Sequence, residues 1–122
     1  MENVMETINQ QINHKGQLTL QTSDGKLFFL PEQIVRLEAR SNYTKIFFVN
    51  RPSMLLAKVL KDFELPLIPF GFLRTHRSHL INKKFIHTIN NMGEIIMEDA
   101  SVAIISRRKK NSVVKSFLNQ DS

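Results

Sequence analysis

The chain has 122 residues, 42% of them hydrophobic and 23% charged, a composition typical of one globular domain and not of a disordered chain. It contains no cysteine, which excludes a disulfide framework and a thiolate metal site, and no apolar run approaches the roughly 20 residues that a membrane helix requires. The polar, acidic start is unlike a signal peptide, so we expect a cytoplasmic protein without a membrane partner.

The first half of the chain predicts one short helix followed by β-hairpins. Val4, Ile8 and Ile12 recur every fourth residue, which indicates an N-terminal helix or linker over residues 1–16, ended by Gly16. Alternating polar and apolar residues, separated by turn residues, then predict a series of strands. These strands cover residues 17–22, 26–30, 34–38, 43–49 and 54–56.

The second half predicts further strands around a short helix. The pattern of Lys58–Leu65 is helical, with Val59, Leu60 and Phe63 on one side, and Pro66 should end this helix. We expect residues 66–71 to form a rigid apolar loop because they include two prolines. Strands follow at 86–89, 94–97 and 102–105, and a last helix contains Val113, Val114, Phe117 and Leu118. The predicted fold class is mostly β, with one or two short helices.

Positive charge is concentrated in two stretches that contain no acid. The net charge is +6, and residues 70–85 contain four Lys and Arg while residues 106–118 contain five. Clustered positive charge is typical of proteins that bind a polyanion. One such run alone is as often a solvated basic face, whereas two in one small domain favour a nucleic-acid partner.

Within the first stretch, Phe72–Asn82 has a polar centre bracketed by the apolar pairs Phe72-Leu73 and Leu80-Ile81. We expect the pairs to anchor the ends and the centre to face solvent. The arginine fork matches phosphate oxygens or the guanine O6/N7 edge, and Ser and His add single hydrogen bonds. The alternative is a surface turn held by its own hydrogen bonds. The candidate contacts are His76, Arg77 and Ser78.

The second stretch places four cations at the start of the last predicted helix, directly after Ser106, a good N-cap residue. A helix N-terminus favours acids because its dipole end is positive, so cations there break a local rule and indicate function. An arriving phosphate would match both the dipole and the cations. The alternative is a solubilising helix start. The candidate contacts are Arg107, Arg108, Lys109 and Lys110.

A third candidate is the connection over residues 40–45, which joins two predicted strands and has a basic residue at each end. Asn42 could read adenine through two hydrogen bonds. Asn in a turn is, however, more often present because it tolerates turn backbone. The candidate contacts are Arg40, Ser41, Asn42, Tyr43 and Lys45.

Enzyme and metal signatures are weak. His76 and His79 have an HxxH spacing, but no Glu or Cys lies near them in the sequence to complete a zinc site. The four glycines are scattered and form no phosphate-binding loop. Ser78 and His79 are sequence neighbours, which rarely face each other as a catalytic pair. We therefore expect no enzyme activity, metal or cofactor.

Three segments follow one another along the chain in a recognisable order: Ile34–Thr44, then Phe72–Asn82 with Ile86, then Ile104–Arg108. Together they resemble the LytTR DNA-binding domain, the output domain of many bacterial two-component response regulators. The Phe-Leu-Arg-x-His-Arg-Ser core with its following Asn is specific, and the similarity covers about residues 18–118. We therefore expect a LytTR-like domain over residues 17–118 and a tail over residues 119–122.

The resemblance implies an elongated arrangement of small antiparallel β-sheets whose loops enter successive major grooves of double-stranded DNA. It implies a transcription regulator, with two copies commonly on a promoter direct repeat and a receiver domain or histidine kinase pathway as input. The DNA-contacting positions of the family fall on Arg40–Lys45, His76-Arg77 and Arg107-Arg108.

The sequence departs from the family in two respects. The helix predicted at Lys58–Leu65 is shorter than is usual in the family, and no receiver domain precedes the matching segment. A stand-alone regulator and the output domain of a larger one are therefore both open. The alternative function is a protein- or membrane-surface interaction module that uses the basic faces.

Overall fold

The computed structural model of the chain describes the backbone of residues 16–22 and 25–121 and the side chains of residues 16–21 and 25–116. The predicted N-terminal helix lies outside the described residues. No helix within them is long and apolar enough to cross a membrane.

Ten strands and two α-helices form the described part of the chain, joined by turns and short 3₁₀ segments. The strands are β1 (Leu18–Thr22), β2 (Gly25–Phe29), β3 (Ile34–Arg40), β4 (Tyr43–Phe48), β5 (Met54–Leu56), β6 (Phe72–His76), β7 (His79–Asn82), β8 (Ile86–Ile89), β9 (Glu94–Met97) and β10 (Val102–Ile104). The helices are α1 (Lys61–Leu67) and α2 (Lys110–Asp121). The 3₁₀ segments are Pro31–Gln33, Ile68–Phe70, Lys83–Phe85 and Arg107–Lys109.

The strands pair into three antiparallel sheets. A five-stranded central sheet has the order β5-β4-β3-β7-β6, beside a hairpin of β1 and β2 and a three-stranded sheet β10-β9-β8. In the central sheet Arg40 pairs with Tyr43, Glu38 with His79, and His76 with His79. Since β3 and β7 are antiparallel, the β3–β4 turn and the β6–β7 turn lie at the same end of this sheet.

Alternation along the central strands places apolar side chains on both faces. On β4, Ile46 and Phe48 enter one core, which α1 and the β1–β2 hairpin cover, while Phe47 packs against a second core. The second core joins the three-stranded sheet to α2, which contributes Val113. The prediction of a mostly β fold with small antiparallel sheets and two short helices is confirmed.

The helix predicted at Lys58–Leu65 begins later and continues further than expected. It spans Lys61–Leu67 with Pro66 inside it, and the 3₁₀ segment Ile68–Phe70 follows directly. The expected loop over residues 66–71 was therefore wrong. Burial of Phe63 and Leu67 in the first core outweighs the hydrogen bond that Pro66 cannot make. Val59 precedes the helix and is exposed, contrary to its predicted place on the apolar side.

Candidate nucleic-acid interface

The segment Phe72–Asn82 folds as a hairpin whose turn is Arg77-Ser78. Phe72, Leu80 and Ile81 are buried, as expected for anchors. The expectation that the whole polar centre faces solvent was wrong, because Thr75 and His79 are buried as well. Strand alternation turns these two side chains inward and leaves Arg77 exposed at the turn.

Backbone hydrogen bonds connect this turn to the two other basic segments. The Ala39 amide donates to the Ser78 carbonyl at 2.9 Å, which places the β3–β4 turn next to the β6–β7 turn. On the other side, the Ser106 amide donates to the Thr75 carbonyl at 2.8 Å and the Thr75 hydroxyl donates to the Ile104 carbonyl at 2.9 Å. The β6–β7 turn therefore lies between the two other segments selected from the sequence.

A cleft of about 470 Å³ lies beside β6. It is lined by Glu64, Arg74, His76, Arg77, Ser106, Arg108 and Lys109. Four of these are Lys or Arg and one is an acid, and that acid is paired with Arg74. The cleft therefore presents mainly unneutralised positive charge, which favours an anionic partner.

His76 is fixed in one tautomer by the turn. The Ser78 amide donates to His76 Nδ1 at 3.0 Å, so Nδ1 is an acceptor and the neutral ring carries its proton on Nε2. A neutral His76 can thus donate from Nε2 to a phosphate or to a base acceptor. The alternative interpretation, a turn held by its own hydrogen bonds, is thus compatible with DNA contact, because His76 makes such a bond through Nδ1 and keeps Nε2 for a ligand.

His79 lies beneath His76, with ring centroids 5.5 Å apart in an edge-to-face arrangement. Burial lowers the pKa of His79 from 6.5 to about 4; the Glu38 carboxylate opposes this shift, and Arg36, His76 and Arg40 add to it. Nδ1 of His79 has no hydrogen-bond partner within the part of the chain that the structure describes. His79 is therefore neutral near pH 7 and supports the turn without adding charge.

The β3–β4 turn is exposed and needs a left-handed backbone at Ser41, where φ is 57°. Ser41, Asn42 and Tyr43 all face solvent. The Nε of Arg40 donates to Glu38 at 2.5 Å, which holds the Arg40 stem along β3 and leaves its outer nitrogens for other partners. Lys45 lies over the Phe47 ring, with Nζ 5.1 Å from the ring centroid.

Glu38 and Arg36 form the base of this turn. Arg36 donates to Glu38 at 2.7 Å and to the Ser101 hydroxyl at 2.9 Å, and its guanidinium stacks 3.9 Å from the Phe47 ring centroid. Burial raises the pKa of Glu38, but hydrogen bonds and charge from Arg36 and Arg40 outweigh it, so the pKa lies below its usual value of 4.5. Arg36 is buried and therefore structural.

The third segment begins as a 3₁₀ turn, and the α-helix follows from Lys110. Ser106 occupies the cap position, but its side chain makes no capping hydrogen bond. Lys109 Nζ donates to the Arg74 carbonyl at 3.3 Å, so this side chain points towards β6. Lys110 Nζ instead donates to the Asn91 carbonyl at 3.0 Å, away from the cleft. Of the four predicted cations, Arg108 and Lys109 line the cleft beside the hairpin, Arg107 is exposed, and Lys110 bonds elsewhere.

Three guanidinium groups stay free for a ligand. Arg77, Arg107 and Arg108 are exposed, and within residues 16–22 and 25–121 none of their guanidinium groups has a hydrogen-bond or ion-pair partner. The arginines that the site uses internally, Arg36 and Arg74, are paired with Glu38 and Glu64. Exposure and pairing therefore separate the cations that can bind from those that build the site.

Sequence reasoning missed the supporting roles of Glu64 and Arg74. A signal for them was present in the sequence. Strand alternation places Arg74 on the same face as Phe72, and the apolar Phe72 predicts that this face is buried. A cation facing the core needs an acidic partner, and α1, which covers this face, provides Glu64. Among the described residues, no three His, Asp or Glu side chains come together to hold a metal ion.

Comparison with known proteins agrees with this architecture. The family model of the LytTr DNA-binding domain matches residues 24–117. Among solved structures, the chain is similar to the LytTr DNA-binding domain of a protein named as a methyl-accepting/DNA response regulator from Bacillus cereus. That match has 23% identity and a TM-score of 0.66 and covers 81% of this chain and 94% of that one, which shows a shared fold. No curated protein matches the sequence significantly. Since the family model covers most of the sequence, the chain belongs to the LytTr DNA-binding domain family.

Proposed function

We propose that the chain is a sequence-specific transcription regulator that inserts loops of its β-sheets into the major groove of promoter DNA. The observation that carries the proposal is the connection of three cation-bearing segments by backbone hydrogen bonds, with the β6–β7 turn between the others. Free guanidinium forks match both phosphate oxygens and the guanine O6/N7 edge. Family membership supports DNA as the polyanion.

The candidate side chains divide into two roles, because phosphate contacts fix register and base contacts supply sequence information. We assign base edges to Asn42, Arg77 and Arg108, which are exposed on the three segments. Phosphate contacts fall to Lys45, Lys109 and Lys110, and Lys110 would exchange its bond to Asn91 for one to phosphate. The remaining candidates are Arg40, Ser41, Tyr43, His76, Ser78 and Arg107.

The proposal includes a second protomer on the same DNA. Two copies would occupy a direct repeat in a promoter, each reading its own half. The Bacillus cereus relative is named as a response regulator, which supports a receiver domain or a histidine kinase pathway as the input, in the bacterial cytoplasm. Sedimentation of the protein with selected DNA should give two copies per site, and one copy on every selected site would contradict the direct repeat.

Selection of bound sequences from a random DNA library tests the function itself. A regulator of this kind should enrich a defined sequence, and its complex should survive excess nonspecific competitor in a gel shift. A basic module that binds acidic proteins or membranes would enrich no sequence and lose the complex to competitor. That result would replace the proposal by the interaction-module alternative.

Replacing Arg77 by Ala tests the assignment of base contacts. We expect Arg77→Ala to cost about 1–3 kcal/mol on the selected site and much less on random DNA, because a bidentate base contact is lost. The matched control is Arg51→Ala, which removes the same charge at the opposite end of the central sheet, where Arg51 is exposed over Phe48. Equal losses of Arg77→Ala on both DNAs would remove Arg77 from the specificity role.

A further inference from the structure

Arg74 is the most completely bonded cation of the cleft. Its side chain is 17% exposed, and it lies on β6 on the same face as the buried Phe72. Its three side-chain nitrogens each have a different acceptor: Nη1 donates to Glu64 Oε1 at 2.7 Å, Nε to the His76 carbonyl at 3.0 Å, and Nη2 to the Arg77 carbonyl at 2.5 Å. Few donors therefore remain for a phosphate.

Two of these acceptors belong to consecutive residues of the β6–β7 turn. The register between β6 and β7 is irregular from Arg74 to His76, so regular strand pairing does not fix this part of the backbone. A planar guanidinium that bonds both carbonyls fixes the two peptide groups relative to each other. The direction in which the Arg77 side chain leaves the turn is thereby determined.

Glu64 fixes the other end of this arrangement. It lies on α1, whose Phe63 and Leu67 are fully buried in the first core, so the carboxylate is held by a well-packed helix. Its ion pair with Arg74 also cancels the charge that a phosphate would seek. Arg74 therefore connects Glu64 of α1 to the carbonyls of His76 and Arg77, and we call this arrangement the brace.

We infer that Arg74 is a positioning residue that orients the His76-Arg77 turn for reading DNA, anchored by Glu64, and that it does not itself contact phosphate. The inference rests on the proposed function, since it assumes that the turn meets DNA. It separates two arginines that lie three positions apart in the sequence: Arg77 binds, and Arg74 holds Arg77 in place.

Two substitutions of Arg74 distinguish a residue that positions the turn from one that only contributes positive charge. Arg74→Met keeps the apolar stem and removes the fork, and Arg74→Lys keeps the charge but offers one compact donor group. We expect both to weaken binding to the selected site by about tenfold, the equivalent of one hydrogen bond to a charged group. Binding to random DNA and the slope of log affinity against log salt should stay unchanged. Arg51→Met is the control for the loss of one cation.

Two results with the Arg74 variants would each overturn the inference. Full rescue by Arg74→Lys would mean that the charge matters and not the fork. A salt slope that becomes shallower by about one in Arg74→Met would mean that Arg74 neutralises a phosphate. Glu64→Ala covers the case in which the Arg74 variants do not fold. It should weaken specific binding by about threefold, whereas tighter binding to all DNA would show a purely electrostatic role.

Amide hydrogen exchange in the free protein tests the brace without DNA. In Arg74→Lys and Arg74→Met, the amides of Arg77 and Ser78 should exchange faster than in the unsubstituted protein, while those of β3 and β4 keep their rates. Unchanged exchange at the turn would overturn the inference. If no DNA sequence is selected at all, the proposed function fails, and this measurement still decides whether Arg74 orders the turn.

Discussion

Arginine has two uses in this domain, and the partner of each guanidinium decides which one applies. Arg36 and Arg74 are buried or nearly so and are paired with Glu38 and Glu64, so they stabilise the turns from beneath. Arg77 is exposed, and its guanidinium has no partner among the described residues. A side chain that is already desolvated and paired gains little from a ligand, whereas an exposed one can exchange water for phosphate or base.

His79 should make folding stability depend on pH. In the folded state burial lowers the pKa of His79 to about 4, against 6.5 for an ordinary histidine. Below pH 6.5 His79 is protonated in the unfolded chain but stays neutral in the folded chain. The free energy of unfolding is therefore highest above pH 6.5 and decreases progressively as the pH falls towards 4. We expect a loss of up to about 2 kcal/mol between pH 7 and pH 5, measured by urea unfolding.

The charged and titratable groups that face His79 are Glu38, Arg36, His76 and Arg40. The pKa of Glu38 lies below 4.5, so its own effect on stability falls outside the interval from pH 5 to pH 7. Between pH 7 and pH 5, the free energy of unfolding of His79→Gln should fall less than that of the unsubstituted protein. The matched control is His87→Gln, which removes an exposed histidine of β8. The same pH response in both variants would rule out His79 as the source.

At the scale of elements, the site depends on how β6 joins its neighbours. β6 is the edge strand of the central sheet, and β10 belongs to a different sheet. The two are connected through the Thr75 hydroxyl, which donates to the Ile104 carbonyl, and through the Ser106 amide, which donates to the Thr75 carbonyl. These bonds bring the Arg107–Lys109 segment beside the hairpin, so a fully buried threonine helps to place two segments of the candidate interface side by side.

Replacing Thr75 by Val should therefore destabilise the fold although the shape of the side chain is kept. The Ile104 carbonyl would lose its side-chain donor, at a cost of about 1–2 kcal/mol. Urea unfolding should show a lower midpoint with an unchanged slope. Thr88→Val on β8 is the control, since Thr88 is exposed. If Thr75→Val is as stable as this control, the connection between β6 and β10 does not depend on the hydroxyl.

At the scale of the whole molecule, the net charge of +6 is distributed unevenly along the chain. Several cations meet at the hairpin and the adjacent segment, and the two acids there are each paired with arginine. The surface around the β6–β7 turn is therefore suited to attract DNA over a distance and to release counterions on contact.

The salt dependence of DNA binding should report this arrangement. If about six phosphates are engaged, log affinity should fall with log salt with a slope of about −5. Titration of the selected DNA from low to moderate salt, followed by fluorescence anisotropy, measures the slope. Random DNA should give a comparable slope at lower affinity, because phosphate contacts do not depend on sequence. A slope near zero would exclude the cationic surface as the binding face.

The sequence by itself determined eight of the ten described strands and the chemistry of the exposed segments. Alternation and turn residues predicted eight strands to within two residues at their ends, because side-chain direction in a strand is a local property. Acid-free stretches and the Phe72–Asn82 motif identified the basic segments and the family, which the family model confirms. Which individual side chains contact DNA remains a prediction.

Only the tertiary structure decided which cations face outward and which elements meet. Strand pairing joins residues far apart in the chain, so the contact of Ala39 with Ser78, or of Thr75 with Ile104, could not be read locally. The same packing carried α1 through Pro66, against a local rule, because buried Phe63 and Leu67 stabilise the helix. Arg74 and Arg77 belong to the same acid-free stretch of the sequence, and pairing with Glu64 in the fold makes Arg74 structural and leaves the Arg77 guanidinium free.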